Sequence, residues 1–296
     1  MRLYQAGVRA AAVAAVVLLC FAAVLLREAT SPSGEGYWTA MAPAPGGGLY
    51  IADEARRQLL VLNAAGGARV LGAAPLGIYR ALAADSSGRM LLGTESGLFV
   101  SDDAGGHWRF AIPSRRFTAV AITPGYWLAG AWNDALYVSY DQGASWSKAT
   151  VPAGDVEFEQ LESGFVATLL DLLESGDGRV WRHVASSKDR MTSVVWTPED
   201  NHLLAGDWYG RIWIYDFQAG ALVQVRRCAG GIWSVAFEVA ATTRGLCPKP
   251  RSGPSLLADH EVTRVVRSDT TYYAAVARGA IYASDNGLDW RFAYQP

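Results

Sequence analysis

At 296 residues the chain holds one large domain or two ordinary ones, so internal repeats and not length must decide the domain count. A composition of 51% hydrophobic and 18% charged residues, with 31 Gly and 11 Trp, excludes a disordered polyelectrolyte and suits a body of short strands and turns. A formal net charge of -2 offers no basic footprint, which excludes nucleic acid as the expected partner.

The leader differs from everything after it. Residues 1–9 contain Arg2 and Arg9, and residues 10–26 form an uncharged apolar run. Such a helix is at the short end of what crosses a hydrocarbon core of ~30 Å. A cleaved signal peptide and a retained anchor share this outline, but Arg27 and Glu28 interrupt the small-residue pattern of a cleavage site, so the run reads as a retained transmembrane signal anchor. The positive-inside bias then puts 1–9 in the cytoplasm and the body outside it, periplasmic or extracellular. Cys20 follows Leu19, where lipid attachment wants a small residue. Residues 27–36, REATSPSGEG, have the composition of a linker.

From residue 37 to 296 a period of about 38 residues appears. Apolar-alternating segments such as 118–123 (TAVAIT), 192–197, 233–238 and 263–268 are each followed by a second type, as in 90–94 (MLLGT), 127–131, 202–207 and 272–277. A third type closes the unit: 58–62, 97–101 (GLFVS), 135–139 (ALYVS), 179–182 (RVWR), 211–215 and 280–284. Outside the leader, a helical period also fits only 165–175, FVATLLDLLES. Units of three or four short strands at this spacing give an all-β fold, a seven-bladed β-propeller, with blades at 37–75, 76–114, 115–153, 154–187, 188–226, 227–260 and 261–296. If 227–260, with three prolines, is an insertion, the count drops to six. Cys228 and Cys247 fall in that segment, an even pair in a compartment that permits oxidation; a disulfide is expected, with two buried thiols as the alternative.

One turn recurs after the third segment. Ser101, Asp103, Gly105 and Trp108 share their spacing with Ser139, Asp141, Gly143 and Trp146, and Asp285, Gly287 and Trp290 form a third copy in which Ala283 replaces the hydroxyl residue. An Asp at a hairpin start accepts from the following backbone N–H groups, and Gly supplies a φ > 0 position. The pattern resembles the Asp-box, or BNR repeat, whose acid is a structural clamp on the rim and not a catalytic group. Residues 47–67 look similar to an NHL repeat and 194–220 to a WD40 blade, with Tyr215-Asp216 where that family has Trp-Asp. An Asp-box propeller behind a membrane anchor resembles the photosystem II assembly factor (Ycf48-like) family; sortilin-type propellers are similar in repeat but far longer. That resemblance implies a non-enzymatic docking or assembly platform for proteins.

Chemistry is thinly supported. Tyr79-Arg80 precedes an Asp-box as the opening motif of sialidases does, but Ala81-Leu82 stand where that motif has Ile-Pro, and no nucleophile pair can be assigned. A sialidase-like glycoside hydrolase is the alternative reading, for which Asp155, Glu157, Glu159 and Glu162 offer carboxylates, although a solvated charged strand edge explains that run at least as well. His107, His183, His202 and His260 are scattered without metal-ligand spacing. The expectation is no catalytic residue, no metal and no cofactor, with protein partners that are membrane-associated. Arg115, Arg116, Trp132, Trp208 and Tyr209 are the candidate contact residues, because Arg and aromatics anchor interfaces; Arg226-Arg227 is a second arginine pair.

Overall fold

Alternation at period two puts successive side chains on opposite faces of a strand, and a strand packed on both faces then needs apolar residues at nearly every position. The computed structural model, which describes residues 40–152, 158–162, 164–168, 170–197, 202–248, 257, 260–277 and 279–295, is built from such strands. Gly48–Asp53, Met90–Thr94, Trp127–Ala131 and Thr271–Val276 are buried along their whole length. Ala221–Arg227, by contrast, is mostly exposed. The difference is one of position in the blade. Second strands lie in the body of the ring and fourth strands on its circumference.

The strands form seven antiparallel sheets, each a meander in chain order. Their inner strands are Met41–Ala44, Tyr79–Ala84, Phe117–Ile122, Phe158–Glu162, Met191–Thr197, Ile232–Ala236 and Val262–Ser268. Each inner strand packs on the next, and Val262–Ser268 packs back on Met41–Ala44 to close the ring. This is a seven-bladed β-propeller. Six sheets have four strands; the sixth, Ile232–Ala236, Val239–Thr242 and Gly245–Pro248, has three among the described residues, so 227–260 is a blade and the six-bladed alternative falls. The sulfurs of Cys228 and Cys247 are bonded at 2.08 Å, tying the link before this short blade to its third strand.

The core lies between blades. Leu128, Leu136 and Val138 of blade three meet Phe158, Val166 and Leu173 of blade four, and comparable clusters fill the other gaps. The small residue of the second strands makes room for the next blade. A Cβ on Gly130 would lie 2.6 Å from the Phe158 Cβ, and one on Gly93 2.8 Å from the Phe117 carbonyl oxygen. Hydroxyls clip neighbouring inner strands together: Thr118 Oγ1 donates to the Phe158 carbonyl (2.9 Å), Ser234 Oγ to that of Val265 (3.0 Å), and Ser193 Oγ accepts from the Val235 N–H (3.0 Å). At the closure Ser268 Oγ donates to the Ala44 carbonyl (2.9 Å) and Tyr273 OH to that of Gly47 (2.8 Å).

Two local expectations change. Residues 165–175 form no helix but a hairpin of Phe165–Thr168 and Asp171–Glu174, because the Thr168 hydroxyl binds both the N–H and the carbonyl of Asp171 and closes a tight turn. Residues 179–182 are not the third strand of blade four; Asp171–Glu174 is, and 179–181 belong to the turn after it. The anchor assigned to 10–26 and the linker at 27–36 lie outside the described residues, among which no helix is long and apolar enough to cross a membrane.

Candidate functional site

An up-and-down meander sorts its connections by side. Turns between first and second and between third and fourth strands fall on one face of the ring; turns between second and third strands, with the links between blades, fall on the other. The recurrent acid-to-indole turns all join third to fourth strands and so occupy one face. In the first, Ser101 Oγ donates to Asp103 Oδ1 (2.9 Å) and accepts from the Gly105 N–H (2.9 Å), while Asp103 takes the His107 N–H (2.8 Å). Ser139, Asp141, Gly143 and Ser145 repeat the arrangement, with 2.8 Å from the Gly143 N–H to Ser139 Oγ and from the Ser145 N–H to Asp141 Oδ1. Gly105 has φ +84°, and a Cβ there would lie 2.0 Å from Leu59 Cδ2, so any side chain would strain the backbone and displace Leu59. Backbone and side-chain donation from His107 holds the Asp103 pKa at about 2, and donation from Ser145 does the same for Asp141. These carboxylates are consumed within their own turns. Trp146 Nε1 donates to the Gly143 carbonyl (3.1 Å), whereas Trp108 Nε1 has no partner among the described residues.

The last copy differs from the sequence reading. There the hydroxyl is Ser284, bonded to Asn286 Oδ1 (3.1 Å) and to the Gly287 N–H (2.9 Å), and Asn286 takes the N–H groups of Leu288 and Asp289. Asp285 is outside the clamp, 3.7 Å from Arg291. The turn is one residue shorter than those of blades two and three, so the clamp slides by one along the chain; Gly287 and Trp290 keep their places, with Trp290 Nε1 on the Gly287 carbonyl (3.2 Å). A fourth turn of this short form, unnoticed in the sequence, joins Ser175, Asp177, Gly178 and Trp181. The extra residue of the long form is Ala104 or Gln142, each at positive φ.

The opposite face carries the contact candidates in two groups. Arg115, Arg116 and Trp132 come together: the Trp132 N–H donates to the Arg116 carbonyl (2.8 Å), and the Arg116 guanidinium stacks 4.9 Å above the Trp132 ring. Arg116 pairs with Glu95 (3.2 Å), which also accepts from Arg80 Nε (2.6 Å). Arg115, Lys148 and Tyr137 all bind Asp134, and Lys148 first among them drives that carboxyl far below its ordinary range. Trp208 and Tyr209 form a second group two blades on. Tyr209 is 57% exposed and Trp208 38%, with Trp208 edge-on to Trp233 at 4.8 Å. Beneath them buried Asp207 accepts from the N–H of Tyr209, Arg211 Nε and Trp213 Nε1. Leu76, Ile78 and Leu170 are exposed on the same face. Arg226 is diverted to the Glu238 carbonyl (3.2 Å), and Trp127, another tryptophan near a strand end, is buried under Gly143.

A channel of about 490 Å³ runs along the ring axis, opening toward the face of the acid-to-indole turns. Its described lining comes from all seven inner strands and is made of apolar residues apart from Thr197, Ser234, Arg264, Arg267 and Asp269. Arg264 Nε is sealed without a hydrogen-bond partner among the described residues, and burial pulls the guanidinium pKa down. Among the described residues no three His, Cys, Asp or Glu side chains gather as a metal site would. Of the acidic run 155–162, Asp155 and Glu157 and the side chains of Glu159 and Glu162 lie outside what is described.

No family model matches the chain, and no curated protein does. Solved structures share its fold. A computationally designed protein, Ika8, is 15% identical at a TM-score of 0.61, over 88% of this chain and 89% of that one. An ancestral GH74 enzyme is 12% identical at a TM-score of 0.68, over 89% of this chain, which spans only 47% of the enzyme. YCF48 from Cyanidioschyzon merolae is 14% identical at a TM-score of 0.57, over 73% of this chain and 86% of that one; a further structure is described as YCF48 bound to D1 peptide. At these identities the likeness is one of fold.

Proposed function

We propose that the chain is a non-catalytic docking platform whose contact surface is the face carrying the links between blades, tethered by the apolar run 10–26 on the extracytoplasmic side of a membrane. The observation that carries this reading is the shared location of Arg115, Arg116, Trp132, Trp208 and Tyr209, with exposed Leu76, Ile78 and Leu170, on the face opposite the acid-to-indole turns. Arginine and large aromatic or aliphatic side chains mark protein contact surfaces, and turns and links on a rigid scaffold are where binding residues concentrate. Of the carboxylates on this face, Glu95, Asp134, Asp189 and Asp207 are each paired with a cation, which suits holding a surface together, while Glu54 and Glu261 accept from the Tyr79 N–H and from Trp233 Nε1. A solved structure of this fold described as YCF48 bound to D1 peptide supports the reading of a ring that takes a protein ligand. We read the acid-to-indole turns as Asp-boxes, a reading supported by an acid and a hydroxyl that bond to each other and to the local backbone.

The reading is tested by affinity capture of the full chain from detergent-solubilised membranes of its source cells, alongside Arg116→Glu, Tyr209→Ala and, as a control on the other face, Leu288→Ala. One reproducible protein partner should be retained by wild type and Leu288→Ala and be weakened about tenfold or more by the first two variants. Capture insensitive to Arg116 and Tyr209, or turnover of a fluorogenic glycoside by the purified chain, would replace docking with another activity.

A further inference from the structure

The geometry points to a binding site for a small oxyanion, a carboxylate or a phosphate, in the axial channel at Arg264. The channel lies toward the face opposite the proposed docking surface, and the inference does not depend on that surface.

Arg264 is the third residue of Val262–Ser268, an inner strand that starts at the link between blades and ends at the channel mouth. About 10 Å of strand separate it from Arg267, so it is the deeper of the two. Arg267 is held at the mouth by the ring of Phe237, 4.2 Å from its guanidinium. Asp269, the one carboxylate among the described lining residues, follows the strand at the open end. Among the described side chains, those that line the channel from the other six blades are uncharged, chiefly Ala, Val, Leu and Ile. The hydroxyls of Ser234 and Thr197 are already spent on the Val265 and His202 carbonyls.

Arg264 therefore carries a half-buried charge into an open channel, where no described side chain bonds its guanidinium and Nε is sealed without a partner. A guanidinium stays charged at any ordinary pH. A charge drawn partly out of water without a partner is costly, and a bound counter-ion offsets that cost. The channel has room for a small anion, and the apolar side chains around Arg264 leave fewer waters to compete for the pairing. A planar five-donor fork favours a ligand with two oxygens on one centre, as carboxylates and phosphates present. Arg267 at the mouth adds a second positive charge along the entry path.

The experiment is isothermal titration of the full chain with inorganic phosphate and, separately, with acetate, at fixed ionic strength held with chloride. Thermal unfolding is followed in the same buffers. Arg264→Met and Arg267→Gln are the variants. Saturable one-to-one binding of either anion, weakened about tenfold or more in Arg264→Met, is expected, with a smaller loss in Arg267→Gln. Phosphate alone assigns the phosphate source, and acetate alone the carboxylate source. The midpoint of wild type should rise with the bound anion while that of Arg264→Met does not, and in chloride Arg264→Met should unfold no earlier than wild type, because the uncompensated charge is gone. Lack of saturable binding by wild type, equal binding by Arg264→Met, or an Arg264→Met chain that unfolds earlier in chloride would each overturn the site.

Discussion

Asp103 and Asp141 show what a carboxylate does when its own turn surrounds it with donors. Each is held at about 2 against an ordinary 3.8, so the folded chain keeps the charge at a pH where the unfolded chain takes up a proton. A depressed value means stability that is complete above about pH 4 and is lost as pH falls through about 2. Asn286 performs the same clamp without a charge, which gives the test. Asp141→Asn should stay folded at neutral pH and show a flatter decline of the urea midpoint between about pH 4 and pH 2 than wild type; an unchanged decline would place the acid sensitivity elsewhere. The two long turns were legible in the sequence because their four residues keep one spacing. The turn of Asp177 and the shift from Asp285 to Asn286 were not, since dropping one left-handed residue changes the offsets while leaving the bonds alike. Arg264 was equally hidden: a net charge says nothing of where one cation ends up.

At the level of the strand, the small residues of the second strands matter more than their apolar neighbours suggest. Gly130 faces the ring of the next blade so closely that a methyl group there must displace Phe158. Gly130→Ala is expected to destabilise the chain by about 1–3 kcal/mol in urea unfolding, an overpacking cost, although alanine is the better strand former on propensity alone. A change under about 0.5 kcal/mol would show that the gap between blades three and four relaxes freely. Strand types and order were readable because inner, middle and outer strands differ in how much of each is buried. Residues 165–175 were ambiguous for a physical reason: a buried hairpin with apolar residues on both faces has the same short-range pattern as a helix. Only the hydroxyl of Thr168 at the turn separates the two.

For the ring as a whole, the gap between the last blade and the first is filled as the others are, by Met41, Leu49 and Ile51 against Val266, Tyr273 and Ile281. The blade count was recoverable from the period, yet closure was not, because nothing in one blade announces its neighbour. Tyr273→Phe removes the bond to the Gly47 carbonyl and leaves that buried acceptor unmatched, so a loss of about 1–2 kcal/mol is expected. Calorimetry should show a single lowered transition. A separate early transition for one blade would mean that the seam is a weak point and not an ordinary gap. No described blade borrows a strand from the opposite end of the chain; every sheet is assembled from consecutive residues. The circle accordingly has no privileged starting point. Opening the backbone at the exposed link of residues 187–190 and splicing Gln295 to Ala40 through a spacer like the other links would rotate the order of the modules and leave their partnership intact, which makes this scaffold a natural subject for circular permutation.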